Sequence, residues 1–150
     1  MGDCCNQLRT YYHWCQNCNR KRLQQDFGKW TSGNQRIDKF IQEVQLKART
    51  DREVIEWIPY SRLRNIEYYT KGGFSTIYKA ILLDGRIVEW NNRKQNWKRS
   101  FYYFNKNDYK IAKQKNIISP LNENEKQGIH VVLKRLDNSN INDDFLNEVS

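Results

Sequence analysis

The sequence predicts an α+β protein. A short helical N-terminal segment comes first, then an antiparallel sheet, then the start of a further helix. Three observations predict it. Ile37, Phe40, Ile41 and Val44 recur at i, i+3, i+4 and i+7, which is one face of a helix. From Ser61 the period changes, and residues 66–70, 76–83, 86–90 and 129–136 read as short β segments. Near the end, Asn142-Asp143-Asp144 precede Phe145 and Leu146 in a helix-start pattern.

The elements follow in order. Residues 1–30 are polar, rich in Cys, Asn, Gln and Arg, and show no regular period. Thr31-Ser32-Gly33-Asn34 is a turn with N-cap candidates, and it opens a helical segment over 31–60. A second short helix is expected at 51–57, with Val54, Ile55 and Trp57 apolar and Pro59 ending it. Asp84-Gly85 is a hairpin signal between the second and third β segments. Residues 91–128 are rich in Asn, Lys and Gln with weak periodicity, and they read as a long insertion. Asp137 to Asn140 form a turn, and the last helix begins near Ile141–Asp144. The expected organisation is therefore 1–30, 31–60 and 61–150, the last interrupted at about 91–128.

Composition narrows the function classes. At 150 residues, one ordinary domain or a small domain with an accessory segment is expected. Hydrophobic residues make up 38% and charged ones 29%, and an aromatic share of 13% argues against wholesale disorder. No apolar run approaches the roughly 18 residues of a membrane span, so no membrane partner is expected. Met1 to Asn6 carry neither a basic region nor an apolar stretch, so no secretory signal is read. Gly2 is followed by Asn6 where a myristoylation signal has Ser or Thr. The expected location is cytoplasmic, with the nucleus as the alternative. The four cysteines then read as thiols or metal ligands rather than disulfides.

Cys15 and Cys18 have the C-x₂-C spacing of a zinc knuckle, and Cys4 and Cys5 could supply the other two ligands of a tetrahedral Zn²⁺ site. His13 could replace one of them. The alternative is a tail carrying thiols. The net charge of +9 is uneven. Residues 86–115 hold nine Lys/Arg against Glu89 and Asp108, which is +7 in one segment. Trp97, Phe101, Tyr102, Tyr103 and Phe104 interleave with these charges. Such a segment reads as a solvated basic loop or as a surface for nucleic acid or an acidic partner.

The richest pattern is Lys71-Gly72-Gly73-Phe74-Ser75-Thr76-Ile77-Tyr78-Lys79-Ala80, set between two β segments. Glycines between strands let backbone N–H groups approach phosphates. Downstream, Val131-Val132-Leu133-Lys134 is a strand carrying a lysine, and Glu148 falls in the last helix, 14 residues later. A glycine-rich turn, a strand lysine and a helix glutamate, in that order, resemble the front of a protein kinase domain. The kinase pattern G-x-G-x-x-G-x-V lays its glycines on Thr70, Gly72 and Ser75 and its valine on Ile77. More narrowly, the chain resembles an expanded fungal group of tyrosine-kinase-like domains with a Cys-rich front segment. Trp30 to Asn34, Ile37 to Gln42, Glu56 to Tyr60, Trp90 to Asn92 and Asn96 to Arg99 carry that resemblance.

The resemblance implies a partial kinase N-lobe that binds ATP. Gly72, Gly73 and Phe74 would lie over the phosphates. Ile77, Ala80 and Val132 would line the adenine pocket. Lys134 would contact the α- and β-phosphates, and Glu148 would hold Lys134. The implied activity is phosphoryl transfer from ATP to protein Ser/Thr or Tyr. The chain contains no H-R-D sequence, and its D-F-G (Asp26-Phe27-Gly28) precedes the glycine-rich turn instead of following the strand lysine, so it is expected to be inactive alone, with Mg²⁺ needed only by a complete kinase domain. The implied partners are a protein substrate or the remaining lobe. The alternative function is a non-catalytic adaptor that binds protein, or less favourably nucleic acid, through segment 86–115 and the Cys-rich front.

Overall fold

The computed structural model describes residues 14–136. The expectations for Cys4, Cys5, His13, the turn at 137–140, the last helix and Glu148 lie outside the described residues. The chain forms α-helices and antiparallel sheets, as α+β patterning requires, and divides into two compact units. One comprises residues up to Ile58 together with Ile87–Arg99, and the other comprises Pro59–Arg86 and residues from Ser100. The chain passes from the first unit to the second at Ile58/Pro59, and Ile87–Arg99 belongs to the first unit.

In the first unit, α1 (Gln16–Gln25) pairs with α2 (Gln35–Lys47). Helix α1 carries no periodic signal in the sequence, for two reasons. Its N-cap is Cys15, which makes no side-chain cap bond, and its buried positions are only Asn19 and Leu23. The α2 start was legible. The Asn34 side-chain oxygen accepts from the N–H groups of Arg36 and Ile37, donors that no helical carbonyl reaches. Asp38 accepts from Ser32 and Thr31, and those hydrogen bonds hold its carboxyl below the usual carboxylate range.

The helix expected at 51–57 is a single 3₁₀ turn, Asp51–Glu53, followed by extended chain. Two contacts favour the extended form. Gln45 donates to the Ile55 carbonyl at 2.8 Å, and Arg99 grips Glu56 through two bonds of 2.8 and 2.9 Å. Strands β3 (Arg86–Asn91) and β4 (Asn96–Ser100) form a two-stranded sheet of their own. Trp14, Leu23 and Ile87 make this unit's core, with Phe27, Val54 and Trp97 against them. Trp14 stacks on Trp97 at 5.9 Å and donates its indole N–H to the Ala48 carbonyl.

The second unit is built on a four-stranded antiparallel sheet. Its members are β1 (Leu63–Lys71), β2 (Ser75–Leu82), β5 (Tyr102–Tyr103) and β6 (Gln127–Leu136), in the order β1-β2-β6-β5. Asp84-Gly85 is a turn, with Gly85 at φ +71°, but it does not make a hairpin. It leads β2 out of this sheet and into β3 of the other. Leu63, Ile66, Ala80 and Leu82 form a core on one sheet face, flanked by Tyr78, Ile129, Val131 and Leu133. Leu63, Ile66 and Leu82 each contribute roughly 1.5–3 kcal/mol when fully buried.

Residues 100–128 are not a loose insertion. They supply β5 and α3 (Lys106–Ile111) and are tied to β1 at three places. Ile66 and Ile118 exchange backbone bonds of 2.9 Å, Arg64 pairs with Glu125 at 3.0 Å, and the Asn65 N–H donates to the Ser119 carbonyl. Asn65 sits at φ +51°, at a bulge in β1 between Arg64 and Glu67. Asn tolerates this left-handed conformation better than most residues.

Candidate nucleotide face and its cleft

The register of β2 against β6 decides which predicted residues meet. Ile77 lies opposite Lys134, Lys79 opposite Val132, and Ile81 opposite His130. Directly paired residues project to the same side, and residues two apart share a face. One sheet face therefore carries Ile77, Val132 and Lys134. Ala80 pairs with Val131 and alternates to the other side, where it is 4% exposed within the core. Lys79 is the residue paired with Val132, while Ala80 and Val132 both border one cleft. Sequence reasoning had no register to separate Lys79 from Ala80.

The glycine turn joins β1 to β2. The Gly72 N–H donates to the Ser75 carbonyl at 2.8 Å, closing the turn. Neither Gly72 nor Gly73 has a positive φ, so the turn does not use glycine's left-handed freedom. A Cβ on Gly73 would meet nothing within 4 Å, and one on Gly72 would make only ordinary contact with Ser75. The two glycines instead keep the turn bare. Phe74 stands at its tip, 88% exposed. Lys134 is exposed and lies two pairs along the ladder from Ser75, about 7 Å at ~3.3 Å per residue. Val132 is 68% exposed. Glu148, its expected partner in holding the lysine, lies outside the described residues.

At the other end of the same face is a cleft of about 420 Å³, bordered by Glu67, Lys79, Ile81, Val132, His130 and Asp108. That volume is typical of small-molecule sites. Asp108 is buried in the first turn of α3. Its Oδ2 accepts from the Asn105 N–H at 3.0 Å while the Asn105 side chain accepts from the Asp108 N–H, a reciprocal cap. Its Oδ1 lies 2.9 Å from Nε2 of His130, whose side chain is 61% exposed. Asn65 fixes the arrangement by donating to the Asp108 carbonyl and accepting from the Leu121 N–H, both at 2.8 Å. The Tyr102 ring meets the His130 ring edge-on at 4.9 Å. Its phenol is pushed up to about 12, chiefly by burial and secondarily by the Asp108 charge.

This histidine–aspartate pair was missed in the sequence because its members are 22 residues apart. The Asn105-x-x-Asp108 cap spacing was the one available signal. Among the described residues, no group of three His, Cys, Asp or Glu side chains comes together to hold a metal. Cys15 and Cys18 bracket the first turn of α1, three residues apart and so on one side of the helix, a spacing that suits two ligands of one ion.

The basic segment 86–115 is divided between the two units. Trp97 is committed to the first unit's core, Tyr102 and Phe104 are half-buried, and Phe101 and Tyr103 are exposed. Among the described residues, no helix is long and apolar enough to cross a membrane. Compared with known proteins, the chain matches no family model, and neither a curated protein nor a solved structure matches it.

Proposed function

We propose that the chain binds ATP on the β2–β6 face, as the front portion of a protein kinase. One observation carries this reading. The ladder register puts Ile77, Val132 and Lys134 on one side of the sheet, and the bare Gly72-Gly73 turn lies at the end of the sheet nearest Lys134, an order that suits phosphates and base. An extended lysine beside a glycine turn offers a point charge and unobstructed backbone to a polyphosphate. The exposed Val132 and the half-buried Ile77 offer an apolar surface to a flat base.

Binding, not transfer, is the role of these residues. No H-R-D sequence, and no D-F-G downstream of Lys134, supplies a base or metal ligands, so phosphoryl transfer to protein would need the further lobe. That lobe, or a protein substrate, is the partner proposed for the exposed face around Tyr69, Phe74 and Val132. The Cys-rich front is proposed to hold zinc through Cys4, Cys5, Cys15 and Cys18. Titration of MgATP into the chain and into its Lys134→Ala variant tests the nucleotide reading. Equal affinity in the two would remove it.

A further inference from the structure

Resting on the nucleotide reading, we propose that His130, oriented by Asp108, is the residue that selects adenine over 6-oxo purines. His130 is on the same strand and face as Val132 and Lys134, two and four residues before them. From His130 to Lys134 the strand runs about 13 Å at ~3.3 Å per residue. That is of the order of the reach from a base edge to the first phosphates of a nucleotide. With phosphates at Lys134 and the base on Val132, the base edge arrives at His130 and the cleft.

The chemistry of the edge follows from Asp108. A carboxylate only accepts hydrogen bonds, so the bond to Asp108 Oδ1 places the hydrogen of a neutral His130 on Nε2. Nδ1 is then an acceptor on a ring that is 61% exposed. The Asp108 carboxylate is also held by the Asn105 N–H on Oδ2, and Asn65 anchors the residue's main chain by donating to its carbonyl. Glu67, also at the cleft, is a second acceptor, while the Lys79 ammonium lies 4.2 Å from the Tyr69 ring centroid. An edge rich in acceptors suits the 6-amino group of adenine and repels a 6-oxo group.

The test measures the affinities of ATP and inosine triphosphate for the full chain, its His130→Ala variant and its Asp108→Asn variant. The parent is expected to favour ATP about tenfold, the scale of one well-made hydrogen bond. His130→Ala, at an exposed side chain, is expected to bring the ratio to about one. Asp108→Asn carries a prediction that a structural role would not make. Its amide oxygen is needed by the Asn105 N–H, so its NH₂ faces Nε2, which must then accept. The hydrogen moves to Nδ1, and the preference turns toward inosine triphosphate.

A parent ratio near one, or an unchanged ratio in His130→Ala with ATP still bound, overturns the proposal and leaves nucleotide binding standing. Binding of neither nucleotide by the parent overturns both. If Asp108→Asn does not fold, the His130→Ala ratio decides.

Discussion

Tyr102 is a residue whose cost is visible in its surroundings. Its hydroxyl is buried and has no hydrogen-bond partner among the described residues, while its ring packs on His130 and Phe104. A buried polar atom left unpaired costs about 1–3 kcal/mol. Tyr102→Phe keeps the ring contacts and removes the orphan, so urea denaturation is expected to show a gain of about 1 kcal/mol. The pH dependence has a definite sign. The folded phenol titrates at about 12, above the ordinary 10, so its contribution is fully present below pH 10 and is lost as pH rises toward 12. The parent should therefore lose stability over that window more steeply than the Phe variant. Equal stability and equal alkaline limbs would contradict this account. At this scale the sequence was partly legible. The strand that carries Val132 and Lys134 and the Asn34 cap could be read because each sits in a local pattern. The Asp108–His130 pair could not, because the fold alone brings them together.

At the scale of elements, the β2–β3 connection is the most constrained turn. Gly85 has φ +71°, and a Cβ there would lie 2.1 Å from the Ser100 carbonyl oxygen, with Phe101 also close. Backbone cannot yield as a flexible side chain can. Gly85→Ala is expected to cost more than about 2 kcal/mol by denaturant unfolding, from strain and clash together. A change under 0.5 kcal/mol would mean the turn is not built this way. The Arg62–Asp84 pair beside it, 2.8 Å apart, is half-exposed and contributes little. For α1, the first turn brackets Cys15 and Cys18, and the proposed zinc gives a second expectation. Chain purified with zinc should retain about one ion, measured by mass spectrometry, and Cys15→Ser with Cys18→Ser should lose it. Retention by the double variant would contradict these ligands. The elements show why legibility was uneven. The helix α2 carries both an apolar stripe and a cap, and it was read. The helix α1 has neither, and the stretch 51–57 has apolar residues but is drawn out by Gln45 and Arg99 from elsewhere in the chain.

At the scale of the whole molecule, the strands were read from their period, but their partners were not. Local alternation says which residues share a face and nothing about which strand lies alongside. Ile87–Arg99 folding back to the first unit, and 100–128 joining the second unit's sheet, are both long-range outcomes. The face that carries Ile77, Val132 and Lys134 is the molecule's central claim. Lys134 is exposed, so its replacement should leave the fold intact, as a thermal melt can verify. The most direct measurement is calorimetric titration of MgATP into the parent chain and the Lys134→Ala variant, at matched thermal stability. The account predicts saturable binding by the parent and at least about tenfold weaker binding by the variant, since a charge-assisted phosphate contact is lost. Equal affinity for both chains, or no binding by a folded parent, would contradict it.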